Sequence, residues 1–151
     1  MSDETTSPTT ETASPADERA ALAAELARLE AEREARAKSS AVADLRRKVA
    51  DEKAIAAAEA AHGLVGKVIE VVPTDGGVVI VKRANPLIYR RFMDTGKFTS
   101  EACDALVRTC LVHPSVGAYE ALIEDYPSTP VSAANAIARL AGVRAAELSG
   151  K

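Results

Sequence analysis

Few residues of this chain could do chemistry, and they form no familiar catalytic pattern. The histidines are His62 and His113, and the cysteines are Cys103 and Cys110. The chain contains no GxGxxG, GxxxxGK[ST], HExxH, GxSxG or CxxC motif, which mark dinucleotide, phosphate, zinc, serine-hydrolase and redox sites. We therefore expect a non-enzymatic protein that needs no cofactor and no metal ion.

A structural interpretation covers the side chains that could react. Each histidine precedes Gly or Pro at a predicted helix end, where it helps to stop the helix. Cys103 and Cys110 could form a metal or nucleophile set with His113, but cysteine on the apolar face of a helix usually acts as a small hydrophobic residue. The two lie about 10 Å apart along the helix axis, too far for an intrahelical disulfide. Glu124 and Asp125 are adjacent, so they point apart on a helix and are expected to be solvated.

A basic and aromatic cluster is the best candidate for a binding site. It forms where the second predicted strand runs directly into the following helix. Such an edge suits an acidic protein partner or, less favourably, nucleic acid, and simple solvation of a helix face is the alternative. The predicted partner-binding residues are Lys82, Arg83, Tyr89, Arg90, Arg91, Phe92 and Lys97.

A long, charged helix precedes this region. Ser14 is a suitable N-cap and Pro15 a suitable first helical residue, and Gly and Pro are then missing as far as Ala61. The pattern predicts one helix, or two helices nearly in line, over residues 15–62. Gly63, directly after His62, should end it.

The apolar residues of this helix form two short stripes. The first consists of Leu22, Leu26 and Leu29, and its heptad positions continue with arginines. After Ser39-Ser40, apolar residues resume out of phase at Val42, Leu45 and Val49. A sustained coiled coil needs three or four uninterrupted heptads. The pattern is therefore compatible with a local coiled coil, or with a solvated helix that becomes useful when it meets a partner.

The C-terminal half should hold the core, because all five aromatic residues lie between positions 89 and 126. β-Branched runs at 67–72 and 78–82 predict a hairpin, in which Asp75-Gly76 favours the positive φ values that such turns need. The hairpin should pack on the following helices or add to the sheet of a neighbouring subunit. Four short amphipathic helices follow. They are predicted at 87–94, from Thr99 or Ser100 through Leu111, around 119–126, and from a Thr129 cap to Ala141 with Ala134, Ile137, Ala138 and Ala141 facing inward.

The predicted fold is thus mainly α with one β-hairpin: a long N-terminal helical arm and a small domain of about four short helices. Its divisions are a disordered tail (1–14), the arm (15–62), the hairpin and helical domain (63–142) and a C-terminal tail (143–151). The net charge is −3, which argues against broad binding to a phosphate backbone. Neither a signal peptide nor an apolar stretch of about 20 residues is present, so we expect a cytosolic protein.

The region from the hairpin to the last helix resembles the tail assembly chaperones of tailed bacteriophages. The similar pattern is a strand running into an Asn-Pro helix start, then YRRF, an LVxxCLVxPS segment, a Tyr-Pro turn and a closing helix that ends in Ala-Gly. It covers a little over half of the chain. The matching residues are Pro86, Tyr89, Arg90, Arg91, Phe92, Leu106, Val107, Cys110, Leu111, Val112, Pro114, Ser115, Tyr126, Pro127, Ala141 and Gly142.

The resemblance implies a non-enzymatic protein that holds the aggregation-prone tape measure protein and brings tail-tube subunits to it during virion assembly. The long charged arm departs from the compact form of that family. A structural or scaffolding oligomer, in which the arm self-associates, is therefore a second hypothesis, and such a protein could be associated with the virion. A small nucleic-acid-binding regulator ranks third.

Overall fold

The computed structural model describes residues 14–142 and confirms a mainly helical fold with one hairpin. The chain divides into two units, Met1–Asp44 and Leu45–Lys151. Helix α1 (Pro15–His62) begins in the first unit and ends in the second. The predicted tails, except for Ser14, lie outside the described residues. The remaining elements are β1 (Ile69–Thr74), β2 (Gly77–Lys82), α2 (Pro86–Asp94), α3 (Ser100–Cys110), β3 (Leu111–His113), α4 (Val116–Asp125) and α5 (Thr129–Leu140).

Helix α1 begins and ends as its sequence predicts. The Ser14 hydroxyl caps it by accepting a hydrogen bond from the Asp17 amide at 3.3 Å, and it donates to the Asp17 carboxylate at 2.8 Å. The helix continues through Ser39-Ser40 to His62, so it is one helix rather than two. Every residue from 15 to 50 is exposed. Alanine and charged residues favour a helix there, but they provide little apolar area for packing.

The last turns of α1 pack against the sheet within the second unit. Ala58 is 4% exposed and lies in one cluster with Ile69 and Ile80, both of which are fully buried. The Asp51 carboxylate accepts a hydrogen bond from the Val78 amide at 3.3 Å. This end of the helix is therefore part of the folded domain and not of an exposed arm.

Strands β1 and β2 form the predicted hairpin, with Thr74 paired to Gly77 across an Asp75-Gly76 turn. The expectation of positive φ at Asp75-Gly76 is wrong, because the positive φ, 131°, belongs to Gly77. The Thr74 hydroxyl accepts a hydrogen bond from the Gly76 amide at 3.2 Å and donates one to the Gly77 carbonyl. These side-chain bonds hold a turn of a different geometry from the one that Asp-Gly favours.

The hairpin is covered on both faces by helices of its own unit. Val79 and Val81 lie in the main core with residues of α3 and α5, whereas Ile80 and Val78 lie in the cluster with α1. This alternation follows from the period of two along a strand. The hairpin thus packs on helices of its own chain, in the middle of three layers.

A third strand is the main difference from the predicted fold. The prediction extended α3 through Leu111, but the helix ends at Cys110 and Leu111 has extended angles of φ −68° and ψ 123°. Residues 111–113 pair antiparallel with β2, and the strand order is β1-β2-β3. A residue before proline disfavours the helical conformation, and valine favours a strand. His113 consequently lies opposite Ile80 in the sheet and does not stop a helix.

Helix α5 also begins differently from its prediction. Thr129 is a buried first residue and not the cap, and Ser128 in the cap position makes no side-chain hydrogen bond. Ala134, Ile137 and Ala138 face inward as predicted, but Ala141 is exposed. The helix ends one residue earlier than predicted, and buried Leu140 takes the place expected for Ala141.

Candidate protein-binding face

Helix α2 is fixed at both ends by short hydrogen bonds. The Asn85 side chain accepts a hydrogen bond from the Leu87 amide at 2.9 Å, and Pro86 occupies the first turn. At the other end, the Thr95 hydroxyl donates to the Phe92 carbonyl at 2.7 Å. Gly96 follows with a φ of 63°, a left-handed conformation that suits glycine. The side chains of α2 are therefore presented from a short helix with defined ends.

Aromatic side chains connect α2 to the core and to the surface. Tyr89 and Phe92 are half-buried and pack against the main core, with their ring centroids 6.3 Å apart. Phe92 also contacts Phe98 edge to face, at 5.5 Å between centroids and 79° between planes. Phe98 is 62% exposed. A partner would thus meet a large aromatic ring that is already held in place by its neighbour.

Large apolar side chains on and beside α2 remain exposed. None of the nine residues of this helix is buried. Several exposed large apolar side chains within one short segment offer apolar area to a partner protein. We call these side chains, together with their basic neighbours Arg90, Arg91 and Lys97, the α2 surface. Its exposed apolar members are Leu87, Ile88, Met93 and Phe98.

The basic residues of the predicted cluster differ in their surroundings. Arg90, Arg91 and Lys97 are exposed, and within residues 14–142 none of them forms an ion pair. Arg83 instead donates from its guanidinium to the Lys67 carbonyl at 3.0 Å. Three positive charges beside an apolar surface therefore have no acidic partner in the described part of the chain.

A cleft of about 370 Å³ brings three of the predicted residues together. Arg83, Tyr89 and Arg90 line it with Ala84 and Pro86. Residues 140–142, at and just after the end of α5, also line it. Burial raises the pKa of the Tyr89 phenol. Lys82 does not line this cleft, and its positive charge instead acts on the Cys110 thiol. The predicted cluster thus contains a compact part around α2 and a separate lysine at the end of β2.

The cysteines occupy the positions of small apolar core residues. Cys103 and Cys110 are free and each is 2% exposed. Burial raises the pKa of both thiols, and for Cys110 the Thr109 hydroxyl and Lys82 oppose that rise. Both side chains are therefore protonated and enclosed near neutral pH. Among residues 14–142, no group of three His, Cys, Asp or Glu side chains could hold a metal ion.

Sequence reasoning missed a polar cluster that joins α3 to α4. Arg108 donates to Asp104 at 3.0 Å and to Glu120 at 2.7 Å, and both bonds raise the pKa of its guanidinium. Its charged group also lies 5.7 Å from the centroid of the buried Tyr119 ring. The Asp104–Arg108 spacing suits an i,i+4 pair, but the sequence carries no signal for Glu120 on the next helix. The Arg108 guanidinium thus binds one carboxylate on α3 and one on α4, and it connects the two helices.

No protein-family model, curated protein or solved structure matches the chain. No helix in the described part is long and apolar enough to cross a membrane.

Proposed function

We propose that this chain is a non-enzymatic protein-interaction factor whose α2 surface binds an acidic, partly apolar segment of a partner protein. The observation that carries this proposal is the exposure of large apolar side chains on and beside α2, with Phe98 62% exposed. Burying such a side chain against a partner contributes about 1.5–3 kcal/mol. Arg90 and Arg91 beside it would select an acidic partner and speed its approach.

In its specific form, the proposal is a tail assembly chaperone of a tailed bacteriophage, acting in the host cytoplasm. The partners would be the tape measure protein and tail-tube subunits. The residues that carry the resemblance include Tyr89, Arg90, Arg91 and Phe92, which belong to or adjoin the α2 surface. A chaperone for an aggregation-prone protein needs apolar area that stays available for binding, and the exposure of α2 supports that role.

Binding to purified tape measure protein and to purified tail-tube subunits tests the proposal. The variant Arg90→Glu with Arg91→Glu should weaken binding at least tenfold, because it replaces two attractive charges with two repulsive ones. The matched control is Arg33→Glu with Arg36→Glu, which makes the same change of charge at exposed positions of α1. Equal binding by both double variants would place the interface elsewhere. No binding of either protein at micromolar concentrations would reject the specific form.

A structural or scaffolding oligomer is the second candidate function, and the exposed leucines of α1 favour it. Leu22, Leu26 and Leu29 are each 45% exposed or more. Sedimentation separates the two candidates when the full chain is compared with a chain that begins at Leu45. A stable oligomer that persists on dilution below micromolar concentration and disappears with residues 1–44 supports scaffolding. Binding of tail proteins by both chains supports the chaperone.

A further inference from the structure

Helix α1 carries two exposed apolar stripes whose residue spacings are the reverse of each other. All six side chains are between 45% and 62% exposed. The first stripe is spaced by four residues and then three, and the second by three and then four. Read backwards, the second stripe therefore has the spacing of the first. The first stripe is Leu22, Leu26 and Leu29, and the second is Val42, Leu45 and Val49.

This reversal favours antiparallel contact between the first stripe of one copy and the second stripe of another. In an antiparallel pair of helices, a residue at heptad position "a" packs against a residue at heptad position "d" of the partner. The first stripe occupies positions d, a and d, and the second occupies a, d and a, so the two match when one helix is reversed. Three apolar layers then form: Leu22 with Val49, Leu26 with Leu45, and Leu29 with Val42. A parallel arrangement of the same stripes gives only two such layers.

The alternative is that each stripe pairs with the same stripe of a second copy. A parallel pair in register would also give three apolar layers. However, the positions that flank those layers would place Glu25 opposite Glu30 in the first stripe and Lys48 opposite Lys53 in the second. Each like-charged pair would occur twice by symmetry, and like charges facing across helices are unfavourable.

The flanking charges favour the antiparallel contact between unlike stripes. There, Glu25 of one copy faces Lys48 of the other. Within its own helix, Glu25 has only a loose ion pair with Arg28, at 3.9 Å and highly exposed, so it remains available to a partner. The same arrangement keeps Glu30 and Lys53 away from like charges. Spacing and charge thus select the same pairing.

We propose that a second copy of this chain is the occupant of each α1 stripe, bound antiparallel, first stripe against second. Three layers bury little area, so the contact is weak and depends on protein concentration. The step from Leu29 to Val42 does not continue a heptad, so one straight partner helix cannot follow both stripes. The contact is therefore heterologous, and each copy can bind two others. It does not depend on the function proposed for α2.

Charge reversal in the full-length chain tests the pairing by sedimentation across micromolar to millimolar concentrations. Glu25→Lys alone and Lys48→Glu alone should each weaken association by about threefold to tenfold, since each turns one attraction into a repulsion. The double variant restores the attraction and should associate like the wild type. Pairing of like stripes predicts the opposite, because each single change would remove a repulsion. Stronger association of the single variants, or no association of the wild type, overturns the proposal.

Covalent trapping provides a second readout for so weak a contact. Chains with Leu26→Cys and chains with Leu45→Cys, mixed under a mild oxidant, should form a disulfide-linked mixed dimer. The native cysteines are buried and do not interfere. Either variant alone should cross-link much less. Equal cross-linking of Leu26→Cys chains among themselves would show pairing of like stripes and would overturn the proposal. Circular dichroism checks that each variant keeps the helix content of the wild type.

Discussion

The end of α1 is part of the folded domain, and shortening the chain would measure how much it contributes to the free energy of unfolding. A chain beginning at Leu45 keeps the cluster in which Ala58 covers Ile69 and Ile80, whereas a chain beginning at Gly63 loses the cover. Both isoleucines are fully buried, and exposing one such side chain costs about 1.5–3 kcal/mol. The pair therefore accounts for about 3–6 kcal/mol, against a typical domain stability of about 5–15 kcal/mol.

Urea unfolding of the two shortened chains and of the full chain measures this contribution. Tyrosine fluorescence is a suitable signal, because Tyr119 is fully buried. The chain from Leu45 should unfold at nearly the same urea concentration as the full chain. The chain from Gly63 should lose most of its stability, and Ile80→Ala in the full chain should lose about 2–5 kcal/mol. Equal stability of the two shortened chains would refute the argument that α1 supports the sheet.

Two further substitutions probe the packing of α4. Gly76→Ala should destabilise the fold by about 1–3 kcal/mol in urea unfolding, because the new Cβ would lie 2.6 Å from the Leu122 side chain. Its control is Gly117→Ala, a helical position where the new Cβ would meet nothing within 4 Å. This variant should be as stable as the wild type or more stable by up to about 1 kcal/mol. Equal loss of stability in both variants would show that the contact with Leu122 is not the cause. Burial and the neighbouring Asp104 raise the pKa of Tyr119 above its usual 10.0, so the folded phenol keeps a proton that the unfolded chain loses. Stability should therefore fall as pH rises above that value. Tyr119→Phe removes the ionisable phenol, so it should reduce this fall when urea unfolding is measured at a series of pH values.

Local signals in the sequence were sufficient for the starts of three helices, α1, α2 and α3. Ser14, Asn85 and Thr99 cap their helices with side-chain hydrogen bonds, and each lies directly before a helix that the sequence predicts. The hairpin was equally clear, because two β-branched runs flank a short turn. These features depend on neighbours within a few residues along the chain, which is why sequence alone predicts them.

Features that depend on distant partners were not predictable in the same way. Leu111 fits the apolar face of α3, yet it pairs with Val81 in the sheet, and only the position of β2 makes that strand favourable. The cluster around Arg108 likewise needs Glu120 from another helix. At the candidate site, the sequence indicated that Arg90 and Tyr89 lie close together, but not that the end of α5 would complete a cleft beside them.

Hydrogen–deuterium exchange of the full chain shows whether the α2 surface binds a protein partner. The chain is compared alone and with purified tape measure protein, and the protected amides are mapped along the sequence. If α2 is the binding surface, protection appears at residues 86–98 and is lost in the Arg90→Glu, Arg91→Glu variant. Protection confined to residues 15–44, with residues 86–98 unchanged, would contradict it.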